Sequence, residues 1–306
     1  MNKLMIISRQ QATYTALLAQ QGLPDLTLTD DPAEANVILA DPPLIAHTLE
    51  RFSALAWLQS TFAGIDALIQ PDKRQDYQLT NIRGCFGQLI TEYVLGYSAS
   101  HYRHFSQYQR QQADAQWQPH SYRGLAGRVM VILGTGSIGQ HLAHAATALG
   151  LRAIGVNRSG TAPSESPDAF ETIYPISRLA DALPQADIVV STLPATTATN
   201  DLLNRDSLQH CRETLLFNVG RGNAVCEESL LWALTHNHLA HAVLDVFKQE
   251  PLPAAHPFWH HPQITVTPHI AAESFPDQVM AIFADNYRRW HTGSPLCYQI
   301  DFQRGY

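Results

Sequence analysis

Three short segments carry residue types that do proton and anion chemistry, each at the end of an apolar run. They are Asn218-Val219-Gly220-Arg221-Gly222, Asp245-Val246-Phe247-Lys248-Gln249-Glu250-Pro251-Leu252-Pro253 and Thr267-Pro268-His269-Ile270-Ala271-Ala272. Together they offer a fixed cation, a carboxylate and an imidazole. An arginine clamps a carboxylate through two parallel hydrogen bonds and polarises a neighbouring carbonyl. A histidine gives a proton to an alkoxide as it forms. A glutamate beside the histidine orients the ring and favours its charged form. The set Arg221, Glu250 and His269 therefore suits reduction of a 2-oxo acid. Singly, each has a bland reading, as a loop arginine, a surface carboxylate before proline and a strand-end histidine.

A fourth segment upstream gives the set its context. Gly134-Thr135-Gly136-Ser137-Ile138-Gly139 is G-x-G-x-x-G, directly after an apolar strand pattern and opening a helical one. In that setting the first glycine permits the tight turn and the second lets backbone approach a pyrophosphate. The third allows helix and strand to pack closely. Free N–H groups at the helix start then face the anion. The competing reading is a structural turn that binds nothing. About 20 residues on, a carboxylate would be expected to bond the ribose 2′-hydroxyl. The chain instead reads Asn157-Arg158-Ser159. Arg158 suits a 2′-phosphate and Ser159 adds a hydrogen bond, so NADP(H) is favoured, with NAD(H) possible if Arg158 is only a surface residue. A methyltransferase, which shares the glycine turn, usually wants an acid where Asn157 stands.

The elements that must position these residues alternate along the chain. Residues 3–8, 36–40 and 56–60 read as strands and 14–21 as a short helix. The stretch 89–117 reads as one long helix or two abutting ones, with a Gln-rich second half as a solvated or interface face. After Pro119, strands are expected at 128–133, 152–157, 187–192, 214–219, 240–246 and 264–267, with helices at 138–149 and 227–237. A helix at 277–291 carries Val279, Met280, Phe283, Tyr287 and Trp290 on one stripe, and Gly293 stops it. The loop 159–167 is rich in Ser, Thr and Pro. Strands separated by helices imply parallel sheets with helices on both faces. Ligands then bind outside the carboxyl ends of the strands, so the three polar segments converge on the cofactor side.

Composition bounds the reading. The chain has 306 residues, 45% apolar and 15% charged, enough for about two folded domains. A net charge of −7 without a Lys/Arg run excludes a nucleic-acid-binding class. No apolar run approaches the roughly 18 residues of a membrane span. The opening run, Leu4 to Ile7, is too short for a secretion signal. Four dispersed cysteines without a CxxC suggest reduced thiols and a cytoplasmic protein. The pairs His236/His238 and His260/His261 lack the Cys or carboxylate companions of a metal site, so no metal is expected.

On these motifs the chain resembles the D-isomer-specific 2-hydroxyacid dehydrogenase family, nearest its glyoxylate/hydroxypyruvate reductase branch. Three further pieces carry the likeness: Leu58-Gln59-Ser60-Thr61-Phe62-Ala63-Gly64-Ile65-Asp66, Glu92-Tyr93-Val94 and the run 187–194. The resemblance implies an α/β fold of two Rossmann-like, doubly wound parallel-sheet domains. A flavodoxin-like substrate domain would comprise 1–96 and 273–306, and an NAD(P)-binding Rossmann domain 97–272. It implies that Arg221 binds the substrate carboxylate and carbonyl, that His269 is the general acid/base and that Glu250 pairs with it. Backbone at Ala63 and Gly64 would grip the carboxylate, and Asp245 would hold the nicotinamide carboxamide. Thr192, Leu193, Pro194 and Val219 would line the cofactor cleft. The partners implied are a small 2-oxo or 2-hydroxy acid and a second copy of the chain, with 89–117 as the dimer arm.

Two other readings stay open. A phosphoglycerate-dehydrogenase-like enzyme would need extra basic groups and often a regulatory tail, whereas this chain ends soon after its last helix. A nucleotide-sensing corepressor of the same fold can retain the same polar set. Two departures stand out. Gly220 occupies a position where the family commonly has alanine, which would loosen the backbone slightly. Ala40-Asp41 precedes Pro42-Pro43 where the branch often has an aromatic residue.

Overall fold

Short, fully buried apolar runs become the central strands of two parallel sheets, and each sheet belongs to its own compact unit. The computed structural model describes residues 1–162 and 166–303. Part of the 159–167 loop and the last three residues of the expected substrate domain thus lie outside the described residues. The first unit is Met1–Cys85 together with the chain from Glu273 onward, and the second is Phe86–Ala272.

In the first unit β1 (Asn2–Ile7), β2 (Leu26–Leu28), β3 (Val37–Ala40), β4 (Trp57–Ser60) and β5 (Gln78–Thr80) pair in parallel in the order β2-β1-β3-β4-β5. That is the flavodoxin-like order. β3 and β4 are buried at every position. In the second unit the strands are β6 (Val129–Leu133), β7 (Arg152–Asn157), β8 (Thr172–Pro175), β9 (Ile188–Ser191), β10 (Thr214–Asn218), β11 (Leu239–Leu244) and β12 (Ile264–Val266). Their order, β12-β11-β10-β9-β6-β7-β8, is the Rossmann order extended by one strand. β6, β9 and β10 are wholly buried, as strands covered by helices on both faces must be. The expected α/β, doubly wound class is therefore the observed one.

Three strands escaped the sequence reading: β2, β5 and β8. All lie at sheet edges, run only three or four residues and are partly exposed, so their hydrophobic signal is weak. The 89–117 stretch is two helices, Phe86–Tyr102 and Phe105–Ala113, and it ends before Gln116 and Trp117. His104 separates them in the left-handed region at φ 58°. The Gln-rich half is not wholly a solvated face, since Gln111 is buried and, with Gln107, meets His120 Nε2 at 2.9 Å.

A domain boundary at 96/97 would cut the Phe86–Tyr102 helix. The whole helix belongs to the second unit, because Gly87 packs against His141 of the Ser137–Ala148 helix and the Tyr102 hydroxyl donates to the Asp187 carbonyl. The four cysteines are free thiols. No helix among the described residues is long and apolar enough to cross a membrane.

The Pro276–Thr292 helix returns to the first unit, starting on Pro276 and ending at Gly293 with φ 69°. Phe283 stacks on Trp57 at 5.3 Å, and Trp290 lies 5.8 Å from the same ring. Beneath them Asn286, fully buried, donates to Gln59 Oε1 and to the Cys297 carbonyl and accepts from the Cys297 N–H. Removing that amide leaves the partly buried Cys297 N–H and carbonyl without their partner and takes one of two donors from Gln59 Oε1, at about 1–3 kcal/mol for each group left unpaired. Asn286→Ala should therefore lower unfolding free energy by about 2–4 kcal/mol in urea titrations; a loss within error would show that the helix is not anchored there.

Candidate active site

In a parallel sheet every strand delivers its following loop to the same edge. Along the second sheet, neighbouring strand ends carry His269 (after β12), Asp245 and Glu250 (β11), Arg221 (β10), Thr192 to Pro194 (β9), the glycine turn (β6) and Asn157 to Ser159 (β7). At about 4.8 Å per strand the row spans roughly 24 Å. Glu250 and His269 lie toward one end of the row and the glycine turn toward the other.

The three glycines of the turn face three different surroundings. Gly134 has φ 105°, and a Cβ there would sit 2.5 Å from Thr192 Oγ1. At Gly139 a Cβ would run into the Gly134 carbonyl oxygen. At Gly136 it would meet nothing within 4 Å. The Ser137–Ala148 helix starts here with Ser137 and Ile138, no side chain caps it, and its first turn holds no acid. Its N–H groups and positive dipole end are thus left for an anion. Thr192 braces the turn, its one hydroxyl proton shared between the carbonyls of Leu133 (3.1 Å) and Gly134 (3.3 Å).

Asn157 is saturated. Its amide donates to Thr135 Oγ1 and the Thr161 carbonyl, both at 2.8 Å. Its oxygen accepts from the N–H groups of Ser159 (3.1 Å) and Gly160 (2.7 Å). The side chain thus ties the glycine turn to the turn after β7 and presents Arg158 and Ser159 at the surface.

Arg221 is held between two close backbone approaches. A Cβ at Gly220 would lie 2.5 Å from the Leu193 carbonyl oxygen, and one at Gly222 would enter the Phe247 carbonyl. Gly220 thus tightens this loop against its neighbour, where the sequence suggested loosening. Buried Asn218 closes the turn by donating to the Arg221 carbonyl at 3.0 Å. Val219 continues β10 through a bond from its N–H to the Ser191 carbonyl, while Leu193 is buried and Pro194 exposed.

Glu250 and His269 meet directly. His269 Nδ1 lies 2.7 Å from Glu250 Oε2, and Glu250 Oε1 accepts the Phe247 N–H at 2.9 Å. With the carboxylate fixed at both oxygens, Nδ1 carries its proton and Nε2 is the atom left to exchange one. The hydrogen bond to Glu250 raises the His269 pKa above 6.5 against the opposing effects of burial and of the Arg221 charge; Asp245 adds to the rise. Burial alone would push the Glu250 carboxyl up. Bonds from His269 and the Phe247 N–H, with the Arg221 charge, outweigh it and hold the group below its ordinary value.

Asp245, expected at a carboxamide, is only 2% exposed. It accepts from the Thr267 hydroxyl and from the N–H groups of Ile270 and Ala271. Ala63 and Gly64 follow β4 in the first unit, in a loop fixed by Asn81 Nδ2 donating to the Ala63 carbonyl at 2.8 Å. Asp41 of that unit is also buried, accepting from the Arg9 N–H and the Thr61 hydroxyl.

The family described as "D-isomer specific 2-hydroxyacid dehydrogenase, NAD binding domain" matches residues 95–271. The chain belongs to the D-isomer-specific 2-hydroxyacid dehydrogenase family. Glyoxylate/hydroxypyruvate reductase A of Serratia proteamaculans is 33% identical over 254 residues, 80% of this chain and 79% of that protein. The crystal structure of a D-isomer specific 2-hydroxyacid dehydrogenase family protein from Aeromonas salmonicida superimposes with a TM-score of 0.93. It is 44% identical and covers 98% of this chain and 99% of its own. A dehydrogenase of the family from Xanthobacter autotrophicus, solved with NADPH and MES, has a TM-score of 0.88 at 28% identity, covering 100% and 99%.

As a family member the chain carries an NAD-binding domain, and the turn at 134–139 fits a dinucleotide: space opens at Gly136 and the helix start is uncapped. Sequence reasoning gave no role to Asn218, Thr267 or Tyr93. The first two were visible as polar residues closing apolar strands, and Tyr93 stood only within the Glu92-Tyr93-Val94 piece of the family likeness. The His269 titration, followed by NMR, should lie above 6.5 and move to lower pH in Glu250→Gln, because the anion that favoured imidazolium is gone. An unmoved titration would contradict the pairing.

Proposed function

We propose that this enzyme reduces small 2-oxo acids of the glyoxylate and hydroxypyruvate kind to D-2-hydroxy acids, using NADPH. The observation that carries the reading is the 2.7 Å Glu250–His269 pair, with the Arg221 charge acting on both partners. The Serratia relative's name and the NADPH held by the Xanthobacter neighbour support the substrate class and the cofactor.

Each residue then has a part. Arg221 binds the substrate carboxylate and steadies negative charge growing on the carbonyl oxygen, an interaction strongest in the transition state. His269 gives its Nε2 proton to that oxygen, and Glu250 stabilises the imidazolium beforehand. Thr135, Gly136, Ser137 and Ile138 bind the pyrophosphate, with Gly134 and Gly139 shaping the turn. Thr192, Leu193, Pro194 and Val219 line the nucleotide path. Arg158 and Ser159 meet the 2′-phosphate, on the turn that Asn157 organises. When bound, the reduced nicotinamide supplies the hydride.

The enzyme should oxidise NADPH with glyoxylate or hydroxypyruvate, and His269→Ala should cut kcat by at least about 10²-fold. Arg158→Ala should lower the NADPH-over-NADH preference by about tenfold, the worth of one charge-assisted hydrogen bond. Turnover with neither substrate, or a wild-type preference for NADH, would refute the respective part.

The same reading includes a homodimer through the second unit. Phe105, Trp117 and Tyr122 of that unit are all exposed, Trp117 at 99%, and aromatic side chains of this kind are enriched at interfaces. Light scattering should give twice the chain mass; a monomer would reject the dimer.

A further inference from the structure

Behind His269 runs a chain of partly and fully buried side chains, of which Tyr93 and Thr267 have no part in the proposed chemistry. Tyr93, midway along the Phe86–Tyr102 helix, has its hydroxyl 2.6 Å from Thr267 Oγ1. Thr267 in turn donates to Asp245 Oδ1 at 2.6 Å. A threonine hydroxyl has one proton, and here it is given to the carboxylate. The bond between Tyr93 and Thr267 is therefore donated by the phenol. Burial raises the Tyr93 pKa, which keeps that proton in place at neutral pH.

Asp245 is the peg on which the next turn hangs. Besides Thr267, its oxygens accept from Ile270 N–H at 2.8 Å and Ala271 N–H at 2.9 Å, and its carbonyl accepts His269 N–H at 2.9 Å. His269 itself has φ 55°, in the left-handed region. That conformation costs a non-glycine residue about 1–2 kcal/mol and persists only where its surroundings impose it. The surroundings here are one buried carboxylate, which itself needs its donors to remain buried.

We propose that Tyr93 and Thr267 are positioning residues for His269, acting through Asp245 to set the turn from which the imidazole reaches Glu250. The charged groups facing that imidazole are Glu250, Arg221 and Asp245. Losing the Thr267 hydroxyl deprives Asp245 of one donor, loosens the turn and weakens the contact between Nδ1 and Glu250. Neither Tyr93 nor Thr267 needs to touch substrate or cofactor for this. The kinetic consequence rests on the proposed function, but the effect on His269 does not.

The test compares Thr267→Val, Thr267→Ser and Tyr93→Phe. In the cofactor-free protein, NMR follows the His269 titration, with its signal among fifteen histidines identified from its loss in His269→Gln. The titration should move down toward 6.5 in Thr267→Val, stay at the wild-type position in Thr267→Ser, and move less far in Tyr93→Phe. Turnover should fall about tenfold in Thr267→Val, since small misplacements of a reacting group are costly, with KM for NADPH unchanged. Thr267→Ser should restore it. A wild-type titration in Thr267→Val overturns the proposal. A raised KM for NADPH at constant kcat also overturns it, because Asp245 would then be serving the cofactor. If Thr267→Val does not fold, Tyr93→Phe decides by the same titration. Should the wild-type enzyme reduce no 2-oxo acid, the functional reading fails while the titration still judges this one.

Discussion

Seven strands hydrogen-bond in parallel from β8 to β12, and that ladder sends every strand-to-helix loop of the second unit to one edge. The rest of the candidate site depends on this constraint. Residues more than 100 positions apart, such as the glycine turn and His269, share an edge because the strands before them share a sheet. The order along the edge follows the sheet, not the chain. The chain reaches β6 first, yet β6 lies between β7 and β9, so the glycine turn falls at the point where the sheet order reverses. Strand ends at such a point leave a crevice that dinucleotides occupy.

Within this frame close backbone approach does much of the positioning. Gly139 lets the first helix of the dinucleotide motif close on the Gly134 carbonyl, while Gly220 and Gly222 let the Arg221 loop press against Leu193 and Phe247. The last two glycines have no unusual φ among those observed, so what they supply is the absence of a side chain rather than conformational freedom. Both approaches fix the backbone from which the Arg221 side chain departs.

Charge is arranged locally against the overall sign. The chain carries −7, yet the glycine turn opens on an uncapped helix start, Arg158 stands at the β7 end and Arg221 at the β10 end. Arg221 acts on Glu250 and His269 in a consistent way. It helps keep the glutamate ionised and works against the imidazolium, while the hydrogen bond to Glu250 more than compensates. The result is a histidine that holds its proton through mildly acidic conditions and loses it as pH rises through its elevated pKa.

The sequence by itself determined the alternation of buried strands and amphipathic helices, the G-x-G-x-x-G turn and the three polar strand ends. Those features are local: period, glycine spacing and residue type are written in consecutive positions. Edge strands β2, β5 and β8 were illegible because three or four half-exposed residues carry too little pattern. The unit boundary falls at Phe86 and not at 96/97 because a helix belongs to whatever it packs on, and Gly87 against His141 is a contact across more than 50 residues. Only the tertiary structure decided that Asn157 braces two turns, that Gly220 tightens a loop, and that Asp245 supports the His269 backbone with Thr267 and Tyr93 behind it. Tyr93 and Thr267 are 174 positions apart, and no local pattern encodes a hydrogen bond between a helix residue and a distant strand end.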